Sequence, residues 1–133
     1  MFPMLEEDLQ RLLDYDGRRY WLSNGWCIRC RVRRCDVTEG RPGGVKYALT
    51  LHDETMARLL GFDNTHAVDG RVPFDHRHRF RRQAETVPYG FVDADRLLAD
   101  FFSAVREVCQ REGVEAEIVD EDCEEMDDGE EDA

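Results

Sequence analysis

The sequence predicts an α+β fold: an antiparallel β-meander packed against a C-terminal amphipathic helix, with a short N-terminal helix and a disordered acidic tail. Three observations predict it. Asn24-Gly25 stands between two apolar, alternating segments, which is the pattern of a β-hairpin. Residues 93–110 carry one unbroken apolar stripe at helical spacing. Residues 120–133 hold ten acids and no base, too little apolar surface to offset the entropy of ordering.

The elements follow in order. Residues 4–16 read as an amphipathic helix, with Leu5, Leu9, Leu12 and Leu13 on one face and Glu6, Glu7 and Asp8 at its positive end. Gly17 stops it. Residues 18–23 and 26–38 form the hairpin, with a type I′ turn expected at Asn24-Gly25. On its second strand Trp26, Ile28, Cys30 and Val32 share one face, and Cys27, Arg29, Arg31 and Arg33 the other. Glu39 to Gly44 is a turn.

Residues 45–52 alternate again, residues 56–62 form a third run, and residues 72–80 a weaker fourth strand. The segment 63–70 between them lacks periodicity and reads as a loop. Asp93 caps the long helix and Gly113 follows its end. Residues 114–119 suit a short edge strand. One sheet face is then covered by the 93–110 helix, and the other, carrying Arg29, Arg31 and Arg33, is partly solvated.

The length of 133 residues matches a single domain, drawn here over residues 1–119, followed by the tail at 120–133. No run approaches the ~18 apolar residues of a membrane span, and no secretory signal is readable, so a cytoplasmic location and no membrane partner are expected. The five cysteines are then expected to be thiols. Cys27 and Cys30 spell CxxC, but an offset of three on a strand sends the sulfurs to opposite faces, one to the core and one to the surface. The net charge of −12 belongs mostly to the tail, since residues 1–119 hold 20 acids against 18 bases. Of those bases 17 are Arg, whose planar fork suits phosphate and carboxylate, although a GC-rich genome also produces such a bias.

The histidines carry the chemical signal. All four, His52, His66, His76 and His78, fall within residues 52–78, interleaved with Asp63, Asp69 and Asp75. In the run from His76 to Arg82 a strand places His76, His78 and Phe80 on one face and Arg77, Arg79 and Arg81 on the other. Three functions fit this pattern. Two imidazoles acting as base and acid cleave RNA without a metal, while arginines stabilise the phosphate. A His/Asp set binds Zn or Mn. Arginines on phosphates, with Phe80 or Tyr89 as a stacking surface, bind nucleic acid without chemistry. The plainer alternative is a solvated basic edge that resists edge-to-edge pairing.

Several short motifs match a known family. Lys46 to Leu49, Gly61-Phe62-Asp63-Asn64, Asp75-His76-Arg77-His78, a Pro-Tyr step, and the helix from Asp93 to Phe102 together resemble the TumE family over roughly residues 45–108. Phe62-Asp63-Asn64 corresponds to the family's aromatic-Asp-Asn step, and His76/His78 to its HxH segment. These are small prokaryotic toxins of toxin–antitoxin modules. The resemblance implies a toxin paired with a helix-turn-helix antitoxin or regulator, and the His/Arg cluster points its action to RNA or another nucleic acid.

Combined with the residue pattern, it makes His76, His78 and Asp63 the catalytic candidates. Arg77, Arg79, Arg81, Arg82 and Asn64 are the nucleic-acid-binding candidates. No metal ligand or cofactor is assigned. RNA and a second copy of the chain are further partner candidates. The alternative function is a non-catalytic adaptor that binds nucleic acid or protein beside a DNA-binding regulator. The acidic tail reads first as a solubilising segment, with competition against nucleic acid for the arginines as the second reading.

Overall fold

The computed structural model describes residues 5–124. Helix α1 (Glu6–Leu13) is followed by strands β1 (Arg18–Leu22), β2 (Cys27–Arg34), β3 (Val45–His52), β4 (Arg58–Asp63), β5 (His76–Arg79) and β6 (Arg82–Pro88). Helix α2 (Ala94–Glu112) and strand β7 (Ile118–Cys123) complete the chain. All seven strands form one sheet in the order β6-β5-β4-β3-β2-β1-β7, and every neighbouring pair is antiparallel. The first six are a simple meander, while β7 returns after α2 to pair with β1 at the far edge.

The core lies between the sheet and the helices. Ile28, Cys30 and Val32 of β2, Tyr47, Leu49 and Leu51 of β3, and Leu60 and Phe62 of β4 point toward Leu97, Phe101, Val105 and Val108 of α2. Phe62 meets Phe101 edge-on at 5.7 Å. Asp93 caps α2 by accepting from the Arg96 amide at 2.8 Å, and Gly113 closes it at φ 70°. The alternating pattern therefore buries one face of the sheet and leaves the other open, as the sequence predicts.

Four expectations are corrected. The β1–β2 connection is not a type I′ turn. Gly25 alone has positive φ, the Gly25 amide donates to the Leu22 carbonyl, and the Leu22 amide donates to the Trp26 carbonyl. This is a three-residue loop with glycine in the left-handed position, and the Asn24 side chain accepts from the Trp26 amide instead of adopting positive φ.

The weak fourth strand is shorter than expected, at 76–79, and a further strand, β6, follows at once through Arg81 with φ 59°. Its sequence, RQAETVP, is half exposed on an edge, so it lacks the apolar alternation that announces a strand.

The acidic segment does not begin as a disordered tail at residue 120. Asp120, Glu121, Asp122 and Cys123 belong to β7, and Arg19 and Arg29 on the sheet hold Asp122 and Glu124. Backbone pairing to an open edge, the Arg19–Asp122 fork and the Arg29–Glu124 pair supply what side-chain burial does not. Residues 125–133 of the expected tail lie outside the described residues.

Cys27 and Cys30 do face opposite sides, but Cys27 is buried rather than on the surface. It sits in the row Trp21, Cys27, His52, between two larger side chains on the neighbouring strands. All five cysteines are free thiols.

A cleft of the open face with two imidazoles and a carboxylate

Cross-strand register builds the site. Directly opposed residues on antiparallel strands share a face, so pairing can be followed across the sheet. Arg31 opposes Ala48, Ala48 opposes Asp63, and Asp63 opposes His76. In the next row Arg29 opposes Thr50, Thr50 opposes Gly61, and Gly61 opposes His78. Both rows lie on the open face. Ala48 and Gly61 are small, so the middle of each row is low. The result is a cleft of about 600 Å³ with Asp63, His76 and His78 on one side, Arg31, Arg33 and Lys46 on the other, and Arg58, Thr65 and His66 also lining it.

Asp63, His76 and His78 converge on one point. His78 Nε2 lies 3.1 Å from Asp63 Oδ2, His76 Nε2 lies 3.4 Å from Asp63 Oδ1, and the two Nε2 atoms are 3.2 Å apart. Each ring is fixed from behind. His76 Nδ1 is 2.7 Å from the Phe74 carbonyl, and His78 Nδ1 is 2.6 Å from the Gln83 carbonyl. A carbonyl only accepts, so both Nδ1 atoms carry the proton and donate. The opposite nitrogens, Nε2, point at each other and at the carboxylate.

The carboxylate is oriented in turn. Thr65 donates to Asp63 Oδ1 from its amide at 3.0 Å and its hydroxyl at 2.9 Å. Burial works to raise the Asp63 pKa, but the His78 hydrogen bond, the His76 charge and the two Thr65 bonds outweigh it and hold the carboxyl down at about 2. Asp63 and His76 are buried, and the His78 side chain is 12% exposed.

A layer behind the cluster holds these backbone positions. Tyr47 is buried on the core face and donates its hydroxyl to Asp75 Oδ2 at 2.8 Å. Burial, then the Asp75 charge, pushes the Tyr47 hydroxyl well above its ordinary pKa. Arg41 lies 5.1 Å from the centre of the Phe74 ring and donates to the Asn64 and Thr65 carbonyls. It therefore ties the segment that carries His76 to the loop that follows Asp63.

The other predicted residues stand elsewhere. Asn64 is buried and serves the sheet: its Oδ1 accepts from the Tyr47 amide and its Nδ2 donates to the Val45 carbonyl. Arg77 opposes Phe62 and sits 5.0 Å over that ring, on the α2 face. Arg79 and Arg82 line a groove against α2 with Glu107 and Arg111, and Arg81 reaches Glu112 of α2 at 3.5 Å. The sheet thus separates these four arginines from the histidines. Alternation predicts that separation, and the same alternation prevents the two sets from gripping one phosphate. Phe80 and Tyr89 pack against the core, and Tyr89 donates to Asp100, so neither is a free stacking platform.

The sequence reading places Arg31 and Arg33 on the open face but not beside the histidines. It passes over Arg58, Thr65, Phe74 and Gln83. Counting parity through β2, β3, β4 and β5 would have found the arginines, since Arg31, Ala48, Asp63 and His76 occupy a single row.

Together the fold and site define a class: a small α+β protein whose single antiparallel sheet is covered on one face by helices and carries a buried His/His/Asp cluster on the other. The chain belongs to the Toxin TumE family, whose model matches residues 22–109. That span adds the β1–β2 hairpin connection and all of β2 to the region that the motifs alone cover. A toxin of this kind implies an antitoxin partner. No curated protein and no solved structure matches the chain. Among the described residues no helix is long and apolar enough to cross a membrane.

Proposed function

We propose that the protein is the toxin of a toxin–antitoxin module, that it acts on RNA in the open-face cleft, and that a helix-turn-helix antitoxin restrains it. Asp63, His76 and His78 are the reactive centre, and Arg31, Arg33 and Arg58 contact phosphate. The observation that carries this reading is the row Arg31, Ala48, Asp63, His76, which sets guanidinium groups across a low floor from the imidazoles. Guanidinium forks neutralise and orient a phosphodiester, and the cluster faces the same space.

The geometry narrows the chemistry. Two histidines that act as base and acid on one phosphodiester stand on either side of it. Here the Nε2 atoms are 3.2 Å apart, so no phosphate fits between them. The pair therefore acts as one unit, from one side of the phosphodiester, with Asp63 in contact with both rings.

The test is expression of His78→Gln and Asp63→Asn variants, together with the His76→Ala/His78→Ala double variant, with growth and total RNA followed in parallel. All are expected to lose growth inhibition and leave RNA intact while keeping the native circular dichroism spectrum. Undiminished toxicity from a folded variant rejects the centre. RNA that is retained in a salt-sensitive manner but never cut makes the protein a nucleic-acid-binding adaptor instead.

A further inference from the structure

We infer that Asp63, His76 and His78 form a binding site for one divalent transition-metal cation. Three electron-pair donors meet at one point: two Nε2 atoms whose Nδ1 protons are committed to carbonyls, and one carboxylate. The three groups meet in a largely buried site, where a shared partner is worth more than it is in water. A cation at its centre satisfies all three.

The dimensions fit. Zn–N and Zn–O bonds of about 2.0–2.1 Å at tetrahedral angles place neighbouring ligand atoms about 3.3 Å apart. Here the two Nε2 atoms are 3.2 Å apart, His78 Nε2 is 3.1 Å from Asp63 Oδ2 and His76 Nε2 is 3.4 Å from Asp63 Oδ1, so the carboxylate turns one oxygen to each imidazole. The supporting shell also has the form that metal sites use. Each imidazole donates its far N–H to a backbone carbonyl, and the carboxylate accepts from Thr65. Two imidazoles and one carboxylate select first-row ions such as Zn²⁺, Mn²⁺ or Fe²⁺ over the all-oxygen preference of Ca²⁺ and Mg²⁺. No cysteine lines the cleft among the described residues.

Three protein ligands leave at least one position, and the cleft lies on that side. Arg31, Arg33, Lys46 and Arg58 make the cleft basic, so an anionic oxygen is the ligand it favours there. A phosphodiester oxygen meets both demands. This use of the ion rests on the reading of the cleft given above, but the binding of the ion does not.

The experiment uses the full chain, stripped with EDTA and dialysed. Mn²⁺ is titrated and free ion counted by electron paramagnetic resonance, because Mn²⁺ avoids thiols. Zn²⁺ is then added as a competitor, with the exposed Cys123 alkylated beforehand. One Mn²⁺ per chain, displaced by Zn²⁺, is expected. Asp63→Asn and His78→Gln should weaken binding about 100-fold or more, and Thr65→Ala, which removes only one bond to the carboxylate, about 10-fold. The urea midpoint of each variant without metal controls for folding, and Thr65→Ala leaves the core untouched.

No binding of either ion at millimolar concentration overturns the inference, as does unchanged affinity in Asp63→Asn and Thr65→Ala. RNA assays on the same samples separate the two claims. Metal bound by a protein that leaves RNA intact upholds the site and rejects its use. RNA cut in EDTA by a protein that binds no metal does the reverse.

Discussion

Gly40 lies against the ring of Phe74 with no room for a β-carbon between them, and its carbonyl accepts the Phe74 amide at 2.9 Å. The Phe74 carbonyl in turn receives the His76 Nδ1 proton. A turn glycine on one loop thus holds the backbone that orients the His76 ring. Gly40→Ala must push the Phe74 ring away, and overpacking of this kind costs about 1–3 kcal/mol. A urea midpoint lowered by that amount, with weakened growth inhibition, is the expected outcome. Full toxicity at native stability would show that Phe74 does not position His76.

The two arginine sets should separate cleanly. Replacing Arg31 and Arg33 together is expected to weaken RNA binding and to flatten its salt dependence. The slope should fall by about 0.7 for each phosphate of a single strand that is no longer neutralised. Replacing Arg77 and Arg82, on the α2 face, is expected to leave both unchanged. Filter binding of single-stranded RNA across a salt series measures this, and the reverse result moves the interface to the other face.

Tyr47→Phe removes the donor at 2.8 Å to the buried Asp75 carboxylate. The unmatched acceptor should cost about 1–3 kcal/mol, read from chemical denaturation. A loss below half a kcal/mol, roughly the floor for a net hydrogen bond, would mean that water replaces the hydroxyl.

The thiols should differ in reactivity. Burial pushes Cys30 up to about 12 and also raises Cys27 and Cys109, whereas Cys123 is exposed on β7. Only thiolate alkylates. Iodoacetamide at pH 8 should therefore label Cys123 in the native protein and reach Cys30 only in denaturant, as mass spectrometry of the digested chain will report. Early labelling of Cys30 would indicate that β2 opens readily.

Asp122 and Glu124 hold Arg19 and Arg29 on the face that carries the cleft, and the Arg29 hydrogen bond keeps Glu124 below its ordinary pKa. The six acids in residues 125–133 continue from that point. A chain ending at Glu124 retains β7 and loses those acids. It is expected to bind RNA several-fold more tightly at about 50 mM salt and equally at about 1 M, where screening shortens to about 3 Å. Identical curves at low salt would leave the acids no part in RNA binding.

The sequence alone determined the architecture of the meander and its helix. Alternation in β2 and β3, the Asn24-Gly25 loop and the Asp93-to-Gly113 helix are local signals, and each was legible because its cause is local. β6 and β7 were less legible: both are edge strands held by backbone pairing and arginine contacts, which leave no apolar pattern. The sequence also put His76 and His78 on one face and marked Asp63 as their partner.

Only the tertiary structure decided which arginines share that face. Arg77 stands one residue from each histidine yet lies across the sheet from them, while Arg31, 45 residues from His76, lies in its row. The reason is pairing register. Proximity along a strand alternates between faces every residue, whereas proximity across strands depends on hydrogen-bonded alignment that four separate segments settle only by folding together.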